Sequence, residues 1–545
     1  MREPKIDFTQ FFTYSELNRH LRALQRWKPE WTTLRKLGKS PDGRQVPLIE
    51  INKPDGVEAA DKPAFLVHGN IHAAEVSGAT SALYLAHALL AGAEDDAEVA
   101  ALLDRVAFYI CPRISVDGAE VVLTTGRPVR SRDRLEKRKN RIWPEDLNGD
   151  GRILQMRIPD PDGGLIALDE EPRLLFARRP DDESGQRYRV ATEGLIHDWD
   201  GGSWGEPERT MYDFNRNWGV NWRPPHQQRG AGRYSFSEPE MRAVADFIFD
   251  HPNIFGILGF HTGPNAVLRP PSTGGDSSIE ASDLAVFREV GQLGSKIMGF
   301  PIKAIHEYHG DFGQPGELWG HFPDWGYKAL GLFVFEIELG ILWNSVGFST
   351  PDIFALTQLT RREAETKALA WHDAHPEAGV FAEWESFDHP QLGPVEIGGW
   401  TPVGRANVAP EHRIETWDRS RRFIFDLAAR APQLELSQIN AEPLGSRVFR
   451  ITCRVSNDGF LPTSVTRYGA SVEGVDGVTV QVDRTESVEF VAGRNEVVVG
   501  HLGASEYRDL TWVVRTPSDG EPQLTLTAEA ARCGKVAATV RLGGE

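Results

Sequence analysis

Residues Ala64-Phe65-Leu66-Val67-His68-Gly69-Asn70-Ile71-His72-Ala73-Ala74-Glu75 join an apolar run to two potential metal ligands, and a helical pattern opens at about Ser77. A short apolar run ended by glycine reads as a buried strand. Where that strand stops, the imidazole of His72 and the carboxylate of Glu75 can converge on one cation, and zinc favours such a mixed nitrogen and oxygen set. A catalytic zinc site needs a third protein ligand and an open position for water. Phe255-Gly256-Ile257-Leu258-Gly259-Phe260 reads as a second buried strand, with His261-Thr262-Gly263 at its end. His72, Glu75 and His261 are therefore the candidate metal ligands. An isolated His-x-x-Glu is common without a metal, so the reading rests on what else the chain carries. His68 is expected in the core or behind the ligands, because a fourth protein ligand would close the position water needs.

The chain has 545 residues, 40% of them hydrophobic, which is enough for a large core and two or three domains. A formal net charge of -18 argues against nucleic acid as a partner, since phosphate binding needs a basic face. The first residues, Met1-Arg2-Glu3-Pro4-Lys5-Ile6-Asp7, have no basic stretch leading into an apolar one, and no apolar run approaches the length of a membrane span. The expectation is a soluble cytoplasmic protein with no membrane partner. Cys111, Cys453 and Cys533 make no disulfide framework and are expected as free thiols.

Helical and apolar strand signals alternate through the first part of the chain, which predicts an α/β layer fold. Helical spacing covers Tyr14 to Trp27, Ser237 to Phe249, Ser282 to Met298 and Leu359 to Trp371. Strand signals cover Leu48 to Ile51, Ala64 to Val67 and Val106 to Cys111. Ser237-Glu238-Pro239-Glu240 reads as a helix start with Ser237 as the cap. Between about 131 and 211 the periodicity lapses into charged, Gly- and Pro-rich sequence, expected as a surface insertion. Within it, Asp146-Leu147-Asn148-Gly149-Asp150-Gly151 opens like a calcium loop, but Arg157 stands where a bidentate carboxylate is expected. Two readings stay open there: Ca2+ held by Asp146, Asn148 and Asp150, or a solvated acidic turn.

Residues 376–432, rich in Pro, Gly and Trp, are expected as a packed connector. From 433 to 545 short alternating strands recur between turn signals: Arg447 to Val455, Val478 to Val482, Ser487 to Val491, Asn495 to Val499 and Leu510 to Arg515. They predict an antiparallel β-sandwich with a binding, packing or assembly role.

With these motifs in view, residues of about 10 to 375 resemble the zinc carboxypeptidase family, the carboxypeptidase A-like metallopeptidases. Gly38-Lys39-Ser40-Pro41-Asp42-Gly43-Arg44 is similar to the family's Gly-x-Ser-x-x-Gly-Arg hairpin. The His72 to Glu75 motif follows, and Ser115-Val116-Asp117-Gly118 resembles the Asn-Pro-Asp-Gly turn, with its first two residues changed. Counting from Asp117 without a gap, the family's carbonyl-polarising arginine falls on Arg130. Asp213-Phe214-Asn215-Arg216-Asn217-Trp218 resembles the segment whose Asn-Arg pair holds a substrate's terminal carboxylate. Phe333-Val334-Phe335-Glu336-Ile337-Glu338-Leu339-Gly340 resembles the strand with the catalytic glutamate. Asp324-Trp325-Gly326-Tyr327 sets the register that favours Glu338 as the base, with Glu336, on the same strand face, as a buried or supporting carboxylate.

The resemblance implies a mixed, mostly parallel central sheet flanked by helices, occupying 1–375 and followed by the β-sandwich, with the site at the carboxyl ends of central strands. It implies one catalytic Zn2+ on His72, Glu75 and His261, a general base at Glu338, charge stabilisation by Arg130, and recognition by Asn215 and Arg216. The expected activity is a metallocarboxypeptidase that hydrolyses the C-terminal amide bond of a peptide or N-acyl amino acid. The alternative is a zinc amidohydrolase or endopeptidase acting on a cell-wall peptide or small amide, and a third reading is a non-catalytic binding protein. Three features depart from the digestive members: Ala74 replaces an arginine, Pro323 occupies the specificity position, and Tyr308 is the candidate for the substrate-capping tyrosine.

Overall fold

The structure, a computed structural model, describes residues 2–179, 185–311, 317–445, 447–483, 488–517 and 522–543. Its centre is an eight-stranded mixed sheet. Numbering only these strands in chain order, β1 is Thr32–Lys39, β2 Gln45–Ile51, β3 Ala64–His68, β4 Ala107–Cys111, β5 Ile254–His261, β6 Ala266–Arg269, β7 Ile302–Ala304 and β8 Phe333–Glu338. They lie in the order β1-β2-β4-β3-β5-β8-β6-β7. The inner four, β4, β3, β5 and β8, are mutually parallel, and antiparallel pairs flank them.

Strand sequences such as Ala-Phe-Leu-Val-His and Ile-Phe-Gly-Ile-Leu-Gly-Phe-His are buried along their whole length because helices cover both faces. Side chains alternate between two cores. Phe65 and Val67 of β3 and Phe108 and Ile110 of β4 join Leu17, Leu83, Phe287 and Phe423 on one side. Ala64, Leu66, Ala107 and Tyr109 join Met241, Val244, Trp218 and Phe322 on the other. This is the α/β layer expected from the sequence. The helices over Tyr14–Trp27, Ala281–Met298 and Gln358–Ala374 fall within a few residues of their predicted spans.

The helix start near 237 is corrected. The helix runs Pro239–Asp250 with Glu238 in the capping position and no side-chain cap. Ser237 Oγ donates to Glu238 Oε1 (2.7 Å) rather than capping the helix, and Glu238 in turn holds Arg132.

The charged stretch 131–211 is more regular than its sequence suggests. Strands Gln155–Pro159, Leu165–Leu168, Glu171–Ala177 and Arg187–Thr192 form an antiparallel sheet completed by Phe381–His389 and Gly393–Trp400. Residues 376–432 therefore do more than connect: they contribute those two strands and then the helix Pro410–Ala429, whose Trp417, Phe423 and Ile424 enter the main core. Two small clusters support the extra sheet, one including Ile142, Met156, Ile196 and Ile397 and the other Leu174, Phe176 and Phe381.

Two four-stranded antiparallel sheets between Leu434 and Arg541 pack around Ile451, Val480, Trp512 and Leu526. One expected strand begins later, at Glu489; Ser487 lies outside the described residues. All three cysteines are free and buried. No described helix is long and apolar enough to cross a membrane.

Candidate metal centre and active site

The loop after β3 is held in shape before any ligand is considered. Asn70 takes a left-handed conformation (φ 52°) and donates its amide to the carbonyls of His72 (2.6 Å) and Ala73 (3.2 Å). The buried Arg113 guanidinium donates to Asn70 Oδ1 (2.8 Å) and to the Phe12 carbonyl (2.8 Å). Gly69 is required here, since a Cβ would lie 2.5 Å from the Gly78 carbonyl oxygen. The Ala73 amide donates to the Arg130 carbonyl (2.6 Å), tying the loop to a second site segment.

Within this frame, His72 Nδ1 lies 2.8 Å from Glu75 Oε1, and His261 Nδ1 lies 3.1 Å from Glu75 Oε2 and 3.2 Å from His72 Nδ1. Ligands about 2.0–2.1 Å from a tetrahedral zinc stand about 3.3 Å apart. His72, Glu75 and His261 therefore fit one zinc ion. The outer ring nitrogens are also engaged: His72 Nε2 with Asp213 Oδ1 (3.2 Å) and His261 Nε2 with Glu336 Oε1 (3.2 Å). Carboxylates at those positions fix the imidazole tautomers and raise their basicity.

A cavity of about 620 Å³ opens on this centre. Arg130, Asn215, Arg216 and Glu338 all line it, together with His72, Glu75 and His261. Arg130 donates to Asp213 Oδ2 (2.9 Å) and to Glu75 Oε1 (3.1 Å). Arg216 donates to the Asn215 carbonyl (2.7 Å), and among the described residues no carboxylate forms an ion pair with it. Glu338 Oε2 is buried without a hydrogen-bond partner among the described residues. Burial pushes the Glu338 carboxyl up to about 8; the negative charges of Glu75 and Glu336 add to this, while His261 and Arg130 oppose it.

Every candidate residue thus faces one cavity, but two stand differently from expectation. Asn215 directs its amide hydrogens at His321 Nε2 (3.0 Å) and Glu336 Oε1 (3.3 Å), both protein acceptors, while its Oδ1 accepts the Phe322 amide (2.9 Å). Tyr308 lies in the cavity wall with its hydroxyl on the Pro264 carbonyl (2.8 Å). His68 is wholly buried against Phe322, with both ring nitrogens unpartnered, as a core residue.

Asp213, to which the sequence motif assigns no role, joins His72 to Arg130. Asn70, Arg113 and His321 carried no local signal at all. The calcium reading is not supported. Asp146, Asn148 and Asp150 accept the loop's own amides from Gly149, Gly151, Asp150 and Arg152, and the groups able to hold a metal among the described residues do not include them. The other such group, His372 with Asp373 and Glu383, is an ion-pair cluster in which Arg173 bonds both carboxylates (2.7 and 3.1 Å).

Residues 17–163 and 178–366, more than half of the chain, match the family model described as zinc carboxypeptidase. Residues 433–541 match a family described only as a domain of unknown function. Over 266 residues the chain is 24% identical to carboxypeptidase B of Astacus astacus, covering 47% of this chain and 63% of that protein. Over 145 residues it is 31% identical to carboxypeptidase E of Caenorhabditis elegans, covering 26% and 30%. The chain spans less than two thirds of the length of these relatives. Similar solved structures include thrombin activatable fibrinolysis inhibitor, with TM-score 0.44, 14% identity, and coverage of 77% of this chain and 74% of that one. Carboxypeptidase A from Helicoverpa armigera has TM-score 0.43 and 18% identity, covering 69% and 77%.

Proposed function

Because the chain belongs to the zinc carboxypeptidase family, we propose that it is a metallocarboxypeptidase that removes the C-terminal residue of a peptide or N-acyl amino acid. The observation that carries this reading is one cavity shared by the three converging donors, the unpartnered Glu338 carboxylate and the Arg216 guanidinium. His72, Glu75 and His261 would hold the zinc, which supplies Lewis acidity that stabilises negative charge on oxygen and acidifies water toward about pH 7.

The chain's own groups divide the remaining work. Arg216 offers a planar fork for the substrate's terminal carboxylate. Its main competitor inside the protein, Asp213, is occupied by Arg130 and His72. Glu338 Oε2 takes a proton from the attacking water and returns it to the departing amine. Arg130, anchored by Asp213, places positive charge beside the oxygen on which negative charge develops. Asn215 is assigned to the wall, orienting His321 and Glu336, rather than to the substrate carboxylate.

Arg216→Ala tests the exopeptidase part. Loss of activity on free-acid peptides, carried mainly by KM, is expected. Unchanged cleavage of free-acid peptides would favour an amidohydrolase or endopeptidase.

A further inference from the structure

Resting on the carboxypeptidase reading, we propose that His321 determines specificity: its Nδ1–H is a donor in the cavity wall that reads an acceptor oxygen, foremost a carboxylate, on the side chain of the released residue.

The tautomer follows from hydrogen bonds two steps away. The Phe322 amide donates to Asn215 Oδ1 (2.9 Å), which fixes the Asn215 carboxamide with Nδ2 toward His321 Nε2 (3.0 Å) and Glu336 Oε1 (3.3 Å). His321 Nε2 is therefore an acceptor, and the other Glu336 oxygen, 4.0 Å from it, is beyond hydrogen-bond reach. A neutral imidazole with one accepting nitrogen carries its proton on the other. Nδ1 is thus a donor, and among the described residues it has no hydrogen-bond partner although His321 is only 3% exposed. A buried donor left unmade is costly, and such a group in a folded protein calls for an explanation.

The position of His321 supplies one. It lines the active-site cavity together with Arg216 and His309. Arg216 and His321 are joined through Asn215, whose carbonyl accepts from Arg216 Nη1 (2.7 Å) and whose amide holds the ring. A terminal carboxylate anchored on Arg216 therefore brings its own side chain within reach of this wall.

The surrounding charge selects the class of that side chain. Burial, with Arg216 and His309 nearby, keeps the His321 ring well below its ordinary pKa, so it donates without being charged. Burial with Arg216 and Arg130 does the same to His309, held down at about 3. A wall facing two guanidinium groups favours an electron-rich side chain over a cationic one. Carboxylates line the same cavity too, Glu317 at its exposed rim and Glu336 and Glu338 deeper in, and these would favour a basic residue instead.

The test uses the zinc-loaded full-length chain and peptides that differ only in their last residue: Glu, Gln, Leu or Lys. A site built to hydrogen-bond a substrate group strongly rejects analogues lacking it, so the kcat/KM ratio of Glu to Leu is expected to be about 100 or more. In His321→Leu that ratio should fall below about 5, and His321→Asn, which can present an amide donor near Nδ1, should restore part of it. Calorimetry with free glutamate and free leucine reads the same wall without turnover. Tighter glutamate binding that disappears in His321→Leu supports the proposal even if no peptide is cleaved. A wild-type preference for Leu or Lys, or a Glu preference that survives in His321→Leu, overturns it. Equal binding of the two amino acids with normal cleavage of free-acid peptides also overturns it, while leaving the carboxypeptidase reading in place.

Discussion

Glu336 and Glu338 stand two residues apart on one face of β8, yet their surroundings separate them. Glu336 is bound to His261 and Asn215, whereas Glu338 Oε2 has no partner. Sequence periodicity put both carboxylates on the same face and could go no further, because the distinction depends on residues more than seventy positions away. Replacing Glu338 by Gln keeps the shape and removes the proposed base. We expect kcat to fall about 10²–10⁴-fold with zinc content unchanged by elemental analysis. Asp213 makes a different prediction, because it supports His72 through Nε2 and Arg130 through its second oxygen. Asp213→Asn should weaken zinc binding about 10–100-fold in chelator competition. Unaltered affinity would mean that Asp213 does not tune the ligand. The three candidate metal ligands are legible because each ends or follows an apolar strand. Asn70, Arg113 and His321 are not, since an Asn, Arg or His acquires such a role only through partners that folding brings together.

At the scale of elements, the strands buried on both faces and the alternating strands of the sandwich are readable, and the short charged strands of 131–211 are not. Runs such as Ala64–Val67 are apolar without a break because helices cover both sides of the central sheet. By contrast Arg187–Thr192 buries Tyr188 and Ala191, three residues apart, and pairs with Gln155–Pro159 and Leu165–Leu168, so its short charged sequence shows little periodicity. The helix Pro239–Asp250 carries a titrating defect near its start. Glu240 is buried with neither carboxylate oxygen hydrogen-bonded, and the nearest Arg132 nitrogen is 3.5 Å away. Burial pushes its pKa up from 4.5 to about 7, with Arg132 opposing. A raised carboxyl pKa favours the protonated form in the fold. The charge therefore costs nothing below pH 4.5, where both states are protonated, and its cost grows until the pH passes about 7. At about 1.4 kcal/mol per pKa unit, Glu240→Gln should stabilise the protein by on the order of 3 kcal/mol at pH 8 and by almost nothing near pH 4. Denaturation at the two pH values checks this, and equal effects at both would refute it.

Across the whole molecule, the C-terminal sandwich is fastened to the segment that leads into β8. The buried Arg532 guanidinium donates to the carbonyls of Leu330, Gly331 (3.0 Å) and Ser464 (3.0 Å). Asp283, on a helix of the catalytic layer, accepts the amides of Arg467 (2.6 Å) and Tyr468 (2.9 Å) as well as the Tyr327 hydroxyl (2.8 Å). Arg532→Ala would leave three carbonyls without their shared donor, at a cost on the order of 3 kcal/mol. Limited proteolysis should then release the sandwich sooner than in the wild type, and an unchanged digestion pattern would show that these contacts do not hold the two parts together. Sequence patterning predicts the strands of the sandwich but not this attachment, because Arg532 and Asp283 are fixed to it only by backbone groups that folding brings to them.

The most direct test of the account is mass spectrometry of a peptide library, half with free and half with amidated C-termini, incubated with zinc-loaded protein and with its Glu338→Gln variant. The account predicts loss of single C-terminal residues from the free-acid peptides alone, abolished in the variant. Cleavage indifferent to the terminus, or undiminished in Glu338→Gln, would contradict it.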